Sequence, residues 1–349
     1  MKFALITILL FAIPAAAQSG RQKPAETPTP TPGSKGVYIP TQVRPPITAP
    51  TPTPTPSGTD DDDVIRVESA LVPIPAAVLD ASGRPVTDLK LTDSELKIDG
   101  QVVEIGELAR SETPIRLAML FDNSSSVLAA REFEKKAAIR FFRRIIRPEK
   151  DLAALFSVAT ATRLEQSFTR DVSALVRSIE MFAQPTGATA LLDGIVLAAE
   201  YLGEIDGRRV IVIVSDGDDT VSDTTFEKAM QAAQLWNCQI YIVKTTDFEN
   251  FIRTRSRTGN ANIRQLAAER RMQEFARQTG GAVYSPIDER ELDEAFRQIS
   301  AELSQQYVLS YYPETDAERR GEQRIIELTV PGRPDLSVRT RRGYYVPRR

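Results

Sequence analysis

Between residues 115 and 305 short apolar runs alternate with amphipathic stretches, and no other feature constrains the fold as tightly. The spacing predicts strands over 115–121, 152–159, 163–168, 210–214, 240–243 and 283–284. It predicts helices over 131–146, 172–182, 189–202, 226–236, 262–278 and 292–305. In the first helix Phe133, Ala137, Ala138, Phe141, Phe142 and Ile145 fall on one stripe. The run Val210-Ile211-Val212-Ile213-Val214 is β-branched throughout, with no polar alternation, as expected of a strand covered on both faces. Strand-helix units in series imply an α/β fold with a doubly wound, mostly parallel sheet.

On both sides of this region the pattern is purely β. Over 64–109, Val64-Ile65-Arg66-Val67 and the run 71–79 precede two turn dipeptides, Ser82-Gly83 and Asp99-Gly100. Segments 95–98 and 101–105 flank the second turn as a hairpin. Pro73 and Pro75 cannot donate to a ladder, so the run 71–79 is expected at a sheet edge. After residue 306, the segments 307–312, 324–330 and 337–342 alternate again. Roughly 45 residues are too few to hold a sheet unaided. The expected solution is a small β-sandwich built from 64–109 and 307–349, with the α/β domain, 110–306, inserted between its halves. Two separate β appendages are the alternative.

The first residues read as an export signal over 1–17: Lys2, an apolar run over 3–13, then Ala15-Ala16-Ala17 before Gln18. That run falls short of the ~20 residues that span a bilayer. Segment 18–63 is a Pro/Thr-rich linker, suited to extended polyproline II and unable to build a core. The expectation is a secreted or periplasmic protein with no transmembrane segment after cleavage; an uncleaved N-terminal anchor is the alternative.

Composition removes whole classes of chemistry. The 349 residues carry a net charge of -3, whereas a nucleic-acid binder is basic. There is no histidine, which excludes Ser-His-Asp triads and every His-ligated metal site. A single cysteine, Cys238, excludes an internal disulfide and a thiolate-caged zinc. A metal here must be held by oxygen, which points to Mg²⁺, Mn²⁺ or Ca²⁺.

In open α/β sheets ligands bind beyond the carboxyl ends of the strands. After 115–121 comes Asp122-Asn123-Ser124-Ser125-Ser126, a D-x-S-x-S arrangement; after 210–214 comes Ser215-Asp216-Gly217. Between them Thr186-Gly187-Ala188-Thr189 is expected to open a helix. The three segments are predicted to share one rim, where hydroxyls of Ser124, Ser126 and Thr189 and carboxylates of Asp122 and Asp216 can surround a hard divalent cation. The competing explanation is structural: the serines cap the next helix and Asp216-Gly217 turns the chain.

With these residues the chain resembles the von Willebrand factor type A domain family and its metal-ion-dependent adhesion site. Asp122, Ser124 and Ser126 match the first motif, Thr189 the second loop and Asp216 the third; the resemblance covers roughly 114–306. Residues 80–86 and 338–345 look like the exported von Willebrand factor A-related proteins common in acidobacteria. The resemblance implies Mg²⁺- or Mn²⁺-assisted binding of a protein or matrix ligand through an exposed carboxylate, without catalysis.

Further features are weighed beside it. Arg253, Arg255, Arg257 and Arg264 follow the 240–243 strand, and their loop is expected near the rim, as ligand contacts or a solvated loop. Cys238 reads as a small buried hydrophobe. Arg339, Arg341, Arg342, Arg348 and Arg349, near Tyr344-Tyr345, read as a charged edge strand rather than as an RNA contact. Two other functions stay open: a scaffold whose metal site is vestigial, and a metal-dependent phosphoryl hydrolase with Asp122 as nucleophile. The hydrolase wants a general acid where Ser124 stands.

Overall fold

A computed structural model of the protein describes residues 71–256, 263–313 and 319–346. The predicted signal, the Pro/Thr linker, the 64–67 strand and Arg257 lie outside the described residues. The strands are β1 (Val72–Leu79), β2 (Glu95–Ile98), β3 (Gln101–Val103), β4 (Glu107–Arg110), β5 (Ile115–Asp122), β6 (Leu152–Val158), β7 (Thr162–Thr169), β8 (Arg208–Ser215), β9 (Gln239–Lys244), β10 (Val283–Tyr284), β11 (Tyr307–Tyr311), β12 (Gln323–Thr329), β13 (Ser337–Thr340) and β14 (Gly343–Tyr345). The α-helices are α1 (Arg131–Ile145), α2 (Val172–Glu180), α3 (Leu191–Gly203), α4 (Phe226–Leu235), α5 (Thr246–Thr254), α6 (Ile263–Thr279) and α7 (Glu289–Ser304).

The central sheet has the order β10-β9-β8-β5-β6-β7 and is parallel except for β7, which runs antiparallel to β6. Side-chain alternation divides its strands between two cores. Val210, Val212 and Val214 of β8 pack with α1, α2 and α7, while Ile211 and Ile213 pack with α3, α4 and α6. Because both faces are covered, the run lacks polar alternation. The strand order reverses between β5 and β8, so the crevice beyond their carboxyl ends is the topological switch point.

Two antiparallel sheets flank this domain, ordered β13-β1-β11-β4 and β14-β12-β2-β3. Each mixes strands from both ends of the chain: β1 pairs with β11 and β13, and β2 pairs with β12. Ile74, Leu96, Ile98, Leu309, Ile326 and Tyr344 fill the space between them.

One expectation is corrected here. β1 is an inner strand, despite Pro73 and Pro75. β11 pairs with Val72 to Ala76 on one side, whereas β13 pairs only with Ala76 to Leu79 on the other. The prolines therefore sit where the second neighbour has already ended. Their carbonyls accept from side chains instead, Pro73 O from Arg341 Nη2 at 2.8 Å and Pro75 O from Thr340 Oγ1 at 2.8 Å. No ladder donor is missing, because none is required there.

β13 is an edge strand, as its charge suggested; Arg342 beyond it is exposed, but Arg339 and Arg341 are drawn into the fold. Arg341 is buried and donates to Asn237 Oδ1, while Arg339 pairs with the buried Glu302 of α7 at 2.6 Å. These charges join the sandwich to the α/β domain. Cys238 is buried, and burial pushes its thiol up to about 12, so it packs as a hydrophobe.

Candidate metal centre

The rim is assembled by three loops that bond to one another. β5 ends at Asp122, and the chain turns at Asn123, whose N–H donates to Val158 O of β6 at 2.7 Å. Thr186 N donates to Asn123 O at 3.0 Å, and Ser125 N and Oγ both reach Gly187 O, at 3.2 and 3.1 Å. The loop bearing Thr189 is thereby stitched to the loop bearing the serines. Thr189 O in turn accepts from Thr220 N at 2.9 Å, and Thr246 Oγ1 donates to Asp216 O at 3.1 Å.

Asp122 lies at the centre and is 1% exposed. Its Oδ1 accepts from Ser124 N at 2.9 Å, and its Oδ2 accepts from Ser215 Oγ at 2.5 Å. The Ser124 and Ser126 hydroxyls lie 2.9 Å apart. The Asp216 carboxylate is near enough to repel Asp122, and its Oδ1 accepts from Asp218 N at 2.9 Å. Asp122, Ser124 and Ser126 thus stand on one side of the switch point and Asp216 on the other, with the buried Thr189 on the loop stitched to both. Ser124 occupies the cap position of a 3-10 turn, Ser125–Ala129, yet its side chain makes no capping bond. Helix capping therefore does not account for it.

Electrostatics separates this group from an ordinary polar turn. Burial, and then the neighbouring Asp216, raise the Asp122 carboxyl to about 6. Burial raises Asp216 as well. Among the described residues neither carboxylate has an ion pair with Lys or Arg. A buried and a half-buried carboxylate are held together beside hydroxyls with no ion-paired cationic side chain among the described residues, which is costly unless an ion joins them. The donor set is oxygen throughout and suits a hard divalent cation. Among the described residues no three Asp, Glu, Cys or His side chains converge to hold a metal, so any ion here must rely on the hydroxyls.

Thr189 does not open the following helix as expected. α3 begins at Leu191, where Leu191 N and Leu192 N donate to Asp219 Oδ1 at 2.8 and 3.1 Å. Asp219 thus frees the Thr189 side chain from capping, a role that sequence spacing did not reveal. Ser215, the partner of Asp122, also went unrecognised.

Arg131 braces the first loop. It donates to Asn123 Oδ1 and, at 2.7 Å, to Ala183 O, with its guanidinium 6.0 and 5.6 Å from the Phe121 and Phe182 rings.

The arginine expectation needs correction. The segment after β9 is a helix, α5, and not a loop. Arg253 donates to Asn250 Oδ1 within that helix at 2.7 Å, and Arg255 ends it with φ 55°. Among the described residues neither bonds to a rim residue. Arg264 alone of the described three approaches it, pairing with Asp218 at 3.0 Å.

Residues 117–218 match the family model of the von Willebrand factor type A domain. Members of this family often mediate adhesion between proteins. No curated protein matches the sequence. Among solved structures, the PilB minor pilin of Streptococcus sanguinis is 12% identical, with 56% of this chain and 62% of that chain covered, at a TM-score of 0.43. This chain thus spans less than two thirds of that pilin. A conserved protein, BatB, of Bacteroides thetaiotaomicron is 15% identical over 54% of this chain and 98% of its own, at a TM-score of 0.42. A von Willebrand factor type A protein of Catenulispora acidiphila is 12% identical over 69% and 52%, at a TM-score of 0.45. Among the described residues no helix is long and apolar enough to cross a membrane.

Proposed function

We propose that the protein is an exported, non-catalytic binding module that takes Mg²⁺ or Mn²⁺ at the rim and recognises a carboxylate on a protein or matrix partner. The observation that carries this reading is the approach of the Asp122 and Asp216 carboxylates beside the paired Ser124 and Ser126 hydroxyls, with neither carboxylate ion-paired to Lys or Arg among the described residues. Asp122, Asp216 and the hydroxyls of Ser124, Ser126 and Thr189 would hold the ion. When bound, a cation held by so few charges supplies an electrophilic position that a partner's carboxylate can take.

The protein's own residues do the remaining work. Ser215 and the Ser124 amide fix the Asp122 carboxylate, and Arg131 fixes the loop behind it. Ser126 is exposed, which leaves the outer side of the group open to a partner. A hydrolase reading gains no support: Ser124, where a general acid would stand, is buried and bonded to Ser126. Export rests on the signal pattern over 1–17.

The test is capture of the full chain on immobilised polyglutamate, with polyglutamine as control. Retention in Mg²⁺ that is lost with chelator, and lost in Asp122→Ala, supports the reading. Equal retention with and without metal contradicts it.

A further inference from the structure

Behind the rim, under α1 and α5, lies a second group of oxygens that the rim does not use. Glu134, in the first turn of α1, is 0% exposed, and neither carboxylate oxygen has a hydrogen-bond partner among the described residues. The buried Thr245 hydroxyl, just beyond β9, has none either, nor has Glu249 Oε1 in the first turn of α5. These groups are neighbours. The Thr245 hydroxyl acts on the Glu134 carboxyl, and Glu249 is among the charges that repel it. The rings of Phe133 and Phe248, each adjacent in sequence to one of the glutamates, stack at 3.8 Å and 6° and fasten α1 to α5.

Such an arrangement is unfavourable as it stands. An ionised carboxylate buried without a donor costs several kcal/mol. Burial, then Asp122 and Glu249, push the Glu134 carboxyl well above its usual range. Burial, then Asp216 and Asp122, push Glu249 up to about 8. Nearby cations are committed elsewhere: Arg131 to Asn123 and Ala183, and Lys244 to Asp247 and Glu269.

We propose that Glu134, Glu249 and Thr245 form a second cation site beneath the rim, for a hard divalent ion with oxygen ligands. With both its oxygens free, Glu134 can bind in bidentate fashion, as carboxylates do around Ca²⁺; a smaller ion would take one oxygen and keep water. An ion there also relieves the repulsion among Asp122, Asp216, Glu134 and Glu249. The site stands on its own residues and does not depend on the adhesive role of the rim.

The experiment counts ions. Metal-stripped full-length protein is dialysed to equilibrium against Mn²⁺ and, separately, Ca²⁺ at pH 7.5, and bound metal is measured by elemental analysis. Wild type is expected to bind two ions of at least one of these metals. Glu134→Gln and Glu249→Gln should each bind one fewer, and Asp122→Ala should keep the ion that depends on Glu134. Equal counts in wild type and the glutamine variants, whatever that count, overturn the proposal. Should Glu134→Gln fail to fold, Glu249→Gln, whose residue is partly exposed, carries the same readout. Loss of an ion in Glu134→Gln but none in Asp122→Ala would overturn the rim assignment and leave this one standing.

Discussion

Ser215 Oγ donates to Asp122 Oδ2 at 2.5 Å, joining the ends of β8 and β5 at the point where strand order reverses. That bond holds a buried carboxylate in place without neutralising it. A cation and a proton must therefore compete for Asp122.

This competition sets a pH dependence. In chelator the folded Asp122 keeps a proton up to about 6, while the unfolded chain loses it near 3.8. The folded state binds more protons between these values, so this group's contribution to stability falls as pH rises through that window, by on the order of 3 kcal/mol. Denaturant melts should find Asp122→Asn more stable than wild type at pH 7 in chelator, with the difference vanishing near pH 4. Metal affinity should weaken roughly tenfold per pH unit below about 6. A difference that does not change with pH contradicts the assignment.

Arg131 acts on the rim through Asn123. Arg131→Ala should weaken metal binding at least about tenfold and lower stability by about 2–3 kcal/mol, since it removes charged hydrogen bonds and stacking between two rings. Arg131→Lys should fold better yet leave metal binding weak, because an ammonium lacks the planar fork. Calorimetric affinity measured beside thermal melts separates the two effects.

At the opposite end of β5, Asp151 accepts from Ile115 N at 2.8 Å and from Arg147 Nε and Nη2 at 2.7 and 2.9 Å. Burial would raise its carboxyl, but the Arg147 guanidinium and the amides of Ile115 and Arg147 outweigh it and hold the group below 3.8. Its stabilisation is complete above the unfolded value and is lost only as pH falls through the lower folded one. Asp151→Asn should destabilise by about 3 kcal/mol at pH 7 and by less as acid titrates the wild type. Chemical melts from pH 2 to 7 provide the check.

Gly281 approaches β9 so closely that a Cβ would overlap the Ile240 carbonyl oxygen. Gly281→Ala should cost about 3 kcal/mol, because backbone on the facing strand cannot yield. Gly332→Ala, with open space around it, should be nearly neutral.

β5, β8 and β9 were legible because each is a largely apolar run closed by a polar residue, and Asp122 and Asp216 stand where β5 and β8 meet their loops. Motif residues at strand ends are readable because topology sends those ends to one rim. What proved illegible depends on tertiary neighbours. Pro73 and Pro75 suggested an edge, since sequence does not tell where β13 stops. α5 was overlooked although Phe248 and the acidic first turn with Asp247 and Glu249 mark a helix; its charged composition resembled a loop. Glu134 looked like an ordinary polar helix residue, because nothing in its spacing shows that Phe248 closes over the same end of α1.

The most direct measurement of the central claim is calorimetric titration of Mg²⁺ into full-length protein at pH 7.5, with Asp122→Ala and Thr189→Val alongside. The account predicts saturable binding whose rim component disappears in Asp122→Ala and weakens in Thr189→Val. No binding by wild type at millimolar Mg²⁺, or an Asp122→Ala isotherm that matches wild type, would contradict it.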